Sequence, residues 1–267
     1  MWHGPPCREV DVRPGVYPRP VLPRLKLIAA CTVVATLGAA GAASAAPLVW
    51  VQAGHNGPRE PGYRAQPGAG SGPFGNEIGF TTRVAPKVVA KLRAAGVDAR
   101  LTPGMVRPWG AGGAAFVSIH HDSPEGAAAL GHAITGAGEN YYRGEGTGDP
   151  RPTPYPDSAP HRRATKVFPA VERRSRVLAG AISKRLGAVY TRANGARASF
   201  RGVQTRDSNP RMMRYYGFYR TRATARVIVE AGAGGTDDVF LRKTDLIATA
   251  VSRGIVDDLR ARGLLGR

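Results

Sequence analysis

Ala115-Phe116-Val117-Ser118-Ile119-His120 is a short apolar run, relieved only by Ser118 and ended by a histidine. Its length and its β-branched and aromatic content suit a strand buried on both faces. Upstream, Leu48-Val49-Trp50-Val51-Gln52-Ala53 has the same character and stops at Gly54, which puts His55 in a loop. Between the two runs, Glu77 opens a helical pattern that carries Val84, Val88, Val89 and Leu92 on one side and stops at Gly96. Pro86 inside that pattern predicts a kink or a late start. Val97 to Leu101 alternates as another strand. Strand, helix, strand argues for crossover units around a largely parallel sheet.

Downstream, Met212 to Tyr219 and Arg226 to Val229 read as two more strands. One helix is expected from Val171 to Leu186, with Val177, Leu178, Ala181, Ile182 and Arg185 at helical spacing. A closing helix is expected from Thr244 to Leu259, with Leu246, Ile247, Ala250, Val251, Ile255 and Leu259 inward. Gly57 to Gly75 and the proline-rich stretch Arg143 to Pro169 read as loops. The expected fold class is α/β, a single three-layer domain with a mostly parallel central sheet and helices on both faces.

In such sheets functional groups collect at the carboxyl ends of the strands, where loops border a crevice. His55, His120 and Glu230 each close an expected strand, and Glu77 begins a helix. Two imidazoles and one carboxylate suit a catalytic zinc ion with a fourth position open. Glu230, at the end of Val227-Ile228-Val229-Glu230, is a spare base. Ligands plus a base suggest a metal-dependent hydrolase.

Residues 1–46 read as a leader and 47–267 as the catalytic domain. Arg24 and Lys26 precede the apolar run Leu27 to Ala43, and Ala43-Ser44-Ala45 offers the small residues of a signal-peptidase site. The run is alanine-rich and interrupted by Gly38 and Gly41, which makes a poor permanent span, so no stable membrane insertion is expected after cleavage. Both cysteines, Cys7 and Cys31, fall in the leader, and export without disulfides follows. The chain carries 38 Lys and Arg against 19 Asp and Glu, a formal net charge of +19. That excess favours an anionic partner. The arginines are spread along the chain with no nucleic-acid motif beside them, so acidic cell-wall polymers are the expected partner and nucleic acid is not.

Four segments in order resemble the zinc N-acetylmuramoyl-L-alanine amidases that cut peptidoglycan: Gln52-Ala53-Gly54-His55-Asn56-Gly57, Gly75-Asn76-Glu77, Ser118-Ile119-His120-His121-Asp122 and Val227-Ile228-Val229-Glu230-Ala231-Gly232. Weaker echoes lie at Glu139 to Tyr142, Ser175 to Ile182, Arg201-Gly202-Val203 and Asp237 to Leu241, so the resemblance spans about Leu48 to Leu264. It implies zinc held by His55, Glu77 and His120, with Glu230 catalytic. His121 then becomes a supporting or surface group, since adjacent strand residues point to opposite faces. It also implies the substrate bond, between the lactyl group of N-acetylmuramic acid and L-alanine of the stem peptide, and a place outside the membrane.

The chain departs from the family at Gln52, where an acidic residue is usual; an altered orientation of His55 is the expectation. Gly232 to Gly235 replaces a more apolar segment, and Arg107 is the remaining counterpart of an arginine-bearing helix. Two other functions use the same residues: a zinc carboxypeptidase or related amidohydrolase, and a wall-binding module without turnover. The first calls for an arginine clamp that the sequence does not reveal, and the second for a missing ligand or base. His132 and His161 lack partners at ligand spacing. Tyr215, Tyr216, Phe218 and Tyr219 between Arg214 and Arg220 read as strand packing before sugar stacking.

Overall fold

A computed structural model describes residues 45–56, 68–102, 110–135, 167–194, 199–205, 218 and 221–266. In chain order the elements are β1 (Leu48–Ala53), α1 (Glu77–Ala94), β2 (Asp98–Thr102), β3 (Ala115–Asp122), β4 (Ala128–His132), α2 (Pro169–Asn194), β5 (Phe200–Thr205), β6 (Arg226–Ala233), the single-turn α3 (Asp238–Leu241) and α4 (Thr244–Ala261). The strands form one sheet in the order β2-β1-β3-β6-β4-β5. All neighbouring pairs are parallel except β4 with β6, so the sheet is mixed but mostly parallel, as the α/β reading requires.

Strand alternation sorts the side chains into two layers. Val49, Val51 and Ala53 of β1, Val117 and Ile119 of β3, and Val227 and Val229 of β6 share one apolar cluster with α1, α2 and α4. Each fully buried valine, leucine or phenylalanine there contributes about 1.5–3 kcal/mol. On the opposite face Phe116 and Ile228 join Ala133, Val167, Phe218 and Ala223 in a smaller cluster. The three long helices described therefore share one face, and His120 and Glu230 belong to the other.

Several elements differ from expectation. α1 starts at Glu77 and runs through Pro86, which faces solvent, so there is no late start. The Asn76 cap, whose Oδ1 accepts from the Gly79 N–H at 3.1 Å, and the apolar stripe from Phe80 to Leu92 outweigh the missing donor. α2 is longer than expected, and its buried stripe is Ser175, Leu178, Ala179, Ile182, Leu186 and Tyr190. Val177 stands 56% exposed. Leu246 of α4 is likewise outward, at 38%. β4 and β5 were not foreseen. Of the strand expected at Met212 to Tyr219 only Phe218 lies among the described residues, and it is buried; the Arg143 to Pro169 loop lies almost wholly outside them. No helix among the described residues is long and apolar enough to cross a membrane.

Candidate metal centre

The parallel register of β1 and β3 sets Ala53 beside Ile119, and the Gly54 N–H donates to the Ile119 carbonyl at 3.0 Å. This brings the end of β1 next to His120. At His55 the backbone turns into the left-handed region, φ 57°, an uncommon conformation for a side-chain-bearing residue. α1 is tied to the same end of the sheet, since Thr81 Oγ1 donates to the Gly54 carbonyl at 2.8 Å. Glu77, in the first turn of α1, thereby faces both histidines. Its own orientation is set by the loop before it. The Ala69 N–H donates to Glu77 Oε2 at 2.8 Å, and the Glu77 N–H donates back to the Ala69 carbonyl at 3.0 Å.

Glu77 Oε1 lies 2.7 Å from His120 Nδ1, and Glu77 Oε2 lies 3.4 Å from His55 Nε2. The two imidazole rings meet edge to face with centroids 5.0 Å apart. One ligand atom from each of the three residues falls within 4.8 Å of the others, and all three side chains are buried. Burial pushes the Glu77 carboxyl above its ordinary value, against the pull of His55, the Ala69 N–H and His121. A carboxylate made costly by burial and set between two imidazole nitrogens is a donor set that suits a divalent cation. The residues present fit the metal that the sequence suggests.

Glu230 is the register partner of His120 across the β3–β6 pair, so the two side chains leave the same face of the sheet on adjacent strands. It is 8% exposed. Neither residue closes its strand, as the sequence had suggested; β3 continues to Asp122 and β6 to Ala233. The register shifts between His120 and Asp122. At that irregularity His121 turns to the helix side, packs edge-on against Phe80 at 5.4 Å and is buried, which excludes a surface role. His132 sits in β4 opposite Val227, with Nδ1 3.1 Å from the Ala133 carbonyl, outside the cluster. His161, Arg107, Arg214, Tyr215, Tyr216, Tyr219 and Arg220 lie outside the described residues.

Two contributors had no assigned part at His120. Ser118 Oγ donates to Gln52 Oε1 at 2.8 Å and lies 2.7 Å from His120 Nε2. Gln52 therefore reaches toward His120 through Ser118. The period-2 spacing of Ser118 and His120 was the available signal.

No family model matches the chain, and no curated protein matches it. Among solved structures, the N-acetylmuramyl-L-alanine amidase Ami1 of Mycobacterium smegmatis superposes with a TM-score of 0.51 at 18% identity, over 82% of this chain and 99% of that one. The amidase AmiC2 of Nostoc punctiforme gives 0.47 at 19% identity, over 80% and 97%. CwlD of Clostridioides difficile, solved with the GerS lipoprotein, gives 0.49 at 16%, over 80% and 99%. At these identities the likeness concerns the fold alone, and Ami1 carries it. The chain thus has the α/β fold of an N-acetylmuramyl-L-alanine amidase, with His55, Glu77 and His120 gathered together and His120 in register with Glu230.

Proposed function

We propose that the chain is an exported zinc-dependent amidase that hydrolyses the bond between N-acetylmuramic acid and L-alanine in peptidoglycan. The observation that carries this reading is the meeting of His55, Glu77 and His120 in one buried cluster, with Glu230 in register beside His120. The fold shared with Ami1 and the four ordered motifs of the sequence support it. The leader-like residues 1–46 support export, and the net charge of +19 suits retention by acidic wall polymers.

In this mechanism His55, Glu77 and His120 hold the metal. Zinc, when bound there, supplies Lewis acidity that polarises the amide carbonyl and acidifies a water. Glu230 takes the proton of the attacking water and delivers it to the leaving nitrogen. The low exposure of all four side chains keeps bulk water from competing for that proton. The Ala69 N–H on Glu77 Oε2 holds the carboxylate turned toward the histidines during turnover.

The test is release of stem peptides from peptidoglycan by the purified protein, together with its zinc content. Glu230→Gln is expected to keep zinc and fold and to lose activity by about a hundredfold or more. Full activity in that variant would remove Glu230 from the mechanism.

A further inference from the structure

We propose that the buried pair Gln52 and Ser118 is a positioning relay that keeps the ring proton of His120 on Nε2 and so leaves Nδ1 open to a divalent cation. This rests on the reading of His55, Glu77 and His120 as a metal site.

The three residues form one continuous chain on one face of the sheet. Gln52 of β1 and Ser118 of β3 are register partners, and Ser118 and His120 are two residues apart on the same strand. Gln52 and Ser118 are 0% exposed and His120 is 1% exposed, so water does not supply alternative partners. A serine hydroxyl has a single proton. Ser118 gives it to Gln52 Oε1 at 2.8 Å, so toward His120 Nε2, 2.7 Å away, the same oxygen is an acceptor. Nε2 must then carry hydrogen. In the neutral ring this puts the lone pair on Nδ1, which lies 2.7 Å from Glu77 Oε1. Two such atoms facing each other in a buried site need a proton or a metal ion between them, and His55 on the other oxygen of Glu77 completes a donor set suited to the metal.

Gln52 acts on His120 through Ser118 in this scheme. Its role is to direct the serine proton away from the ring. Without an acceptor at position 52, the hydroxyl is free to donate to Nε2, which moves the ring proton to Nδ1 and closes that atom to a metal. Partners of this kind behind a metal-binding histidine are commonly worth about 10–100-fold in affinity. The relay ends in a neutral amide, so it orients the ring without adding a second buried negative charge to that of Glu77.

The test is zinc affinity by competition with a chelating dye, on the purified full chain, with circular dichroism of each metal-free variant as the check of fold. Gln52→Leu and Ser118→Ala are expected to weaken zinc binding about 10–100-fold. Ser118→Thr should restore most of it, and Gln52→Glu, which keeps an acceptor, should stay within a few-fold of wild type. Folded Gln52→Leu and Ser118→Ala proteins that bind zinc like wild type would overturn the relay while leaving the metal site standing. A wild-type protein that binds no zinc would overturn the metal site itself. Independently of any variant, the long-range proton–nitrogen spectrum of zinc-loaded wild type should show the His120 proton on Nε2. A proton on Nδ1 would refute the relay.

Discussion

His120 is held from three sides: by Glu77 at Nδ1, by Ser118 at Nε2 and by the backbone of Gly54 against its ring. A Cβ built on Gly54 would overlap the His120 ring, and the ring is the part that must yield. Gly54→Ala is therefore expected to weaken zinc binding by at least tenfold while the sheet remains folded. Zinc titration alongside circular dichroism checks this, and unchanged affinity would show that His120 has more freedom than these contacts imply. The three expected ligands were legible because each stood where a run or helix began or ended, and because their motifs resembled a family in order. Ser118 and Gln52 were harder to place. Both sit inside apolar runs, where a polar residue shows its purpose only once strand register says which neighbour it meets. The lone signal was the two-residue step from Ser118 to His120.

The longer elements followed from continuous apolar runs in β1, β3 and β6 and from helical spacing in α1 and α4. β4 and β5 did not. β4 is Ala128-Ala129-Leu130-Gly131-His132, too small in side chain to stand out, and β5 is an edge strand of largely exposed residues with Gly202 inside it. Their existence is set by pairing with β6 and with each other, a tertiary cause that local pattern does not carry. Leu246 was expected inward and faces outward for a related reason, since a hydrophobic residue in an amphipathic helix is not bound to face the core. The packing of α2 on α4 depends on a different residue. Gly254 of α4 meets the backbone of Ile182, and an added Cβ there would lie 2.5 Å from the Ile182 Cα. The neighbour is backbone and cannot swing aside, so Gly254→Ala should destabilise the protein by about 1–3 kcal/mol, read as a lower urea midpoint. A midpoint equal to wild type would mean that the helices are not in such close contact.

Across the whole molecule, the carboxyl end of β6 is connected to the helix layer through Tyr190 and Asp237. The Tyr190 hydroxyl donates to Asp237 Oδ2 at 2.9 Å, and the same oxygen accepts from the Ala233 N–H at 2.8 Å. Burial, followed by the hydrogen bond to Asp237, pushes the Tyr190 pKa up to about 12. The folded value is raised above the unfolded one, roughly 10, so the contribution to stability is complete below pH ~10 and is lost as pH rises through about 12. Tyr190→Phe should cost about 1 kcal/mol at neutral pH. The gap between variant and wild type should then narrow in alkaline solution, as urea midpoints measured from neutral to strongly alkaline pH will show. A gap that stays constant would remove Tyr190 from the alkaline transition.

The order β2-β1-β3-β6-β4-β5 also means that the two halves of the polypeptide are interleaved. β6, made late, is inserted between β3 and β4, while β4 in turn lies between β6 and β5. A cut in the backbone between 136 and 166 would leave four early strands and two late ones locked in a single hydrogen-bonded array. The severed fragments should stay together through gel filtration and come apart only in denaturant; neither should assemble its share of the sheet alone. His55, Glu77 and His120, the proposed metal ligands, all belong to the early fragment and Glu230 to the late one, so the proposed hydrolysis would return only on recombination.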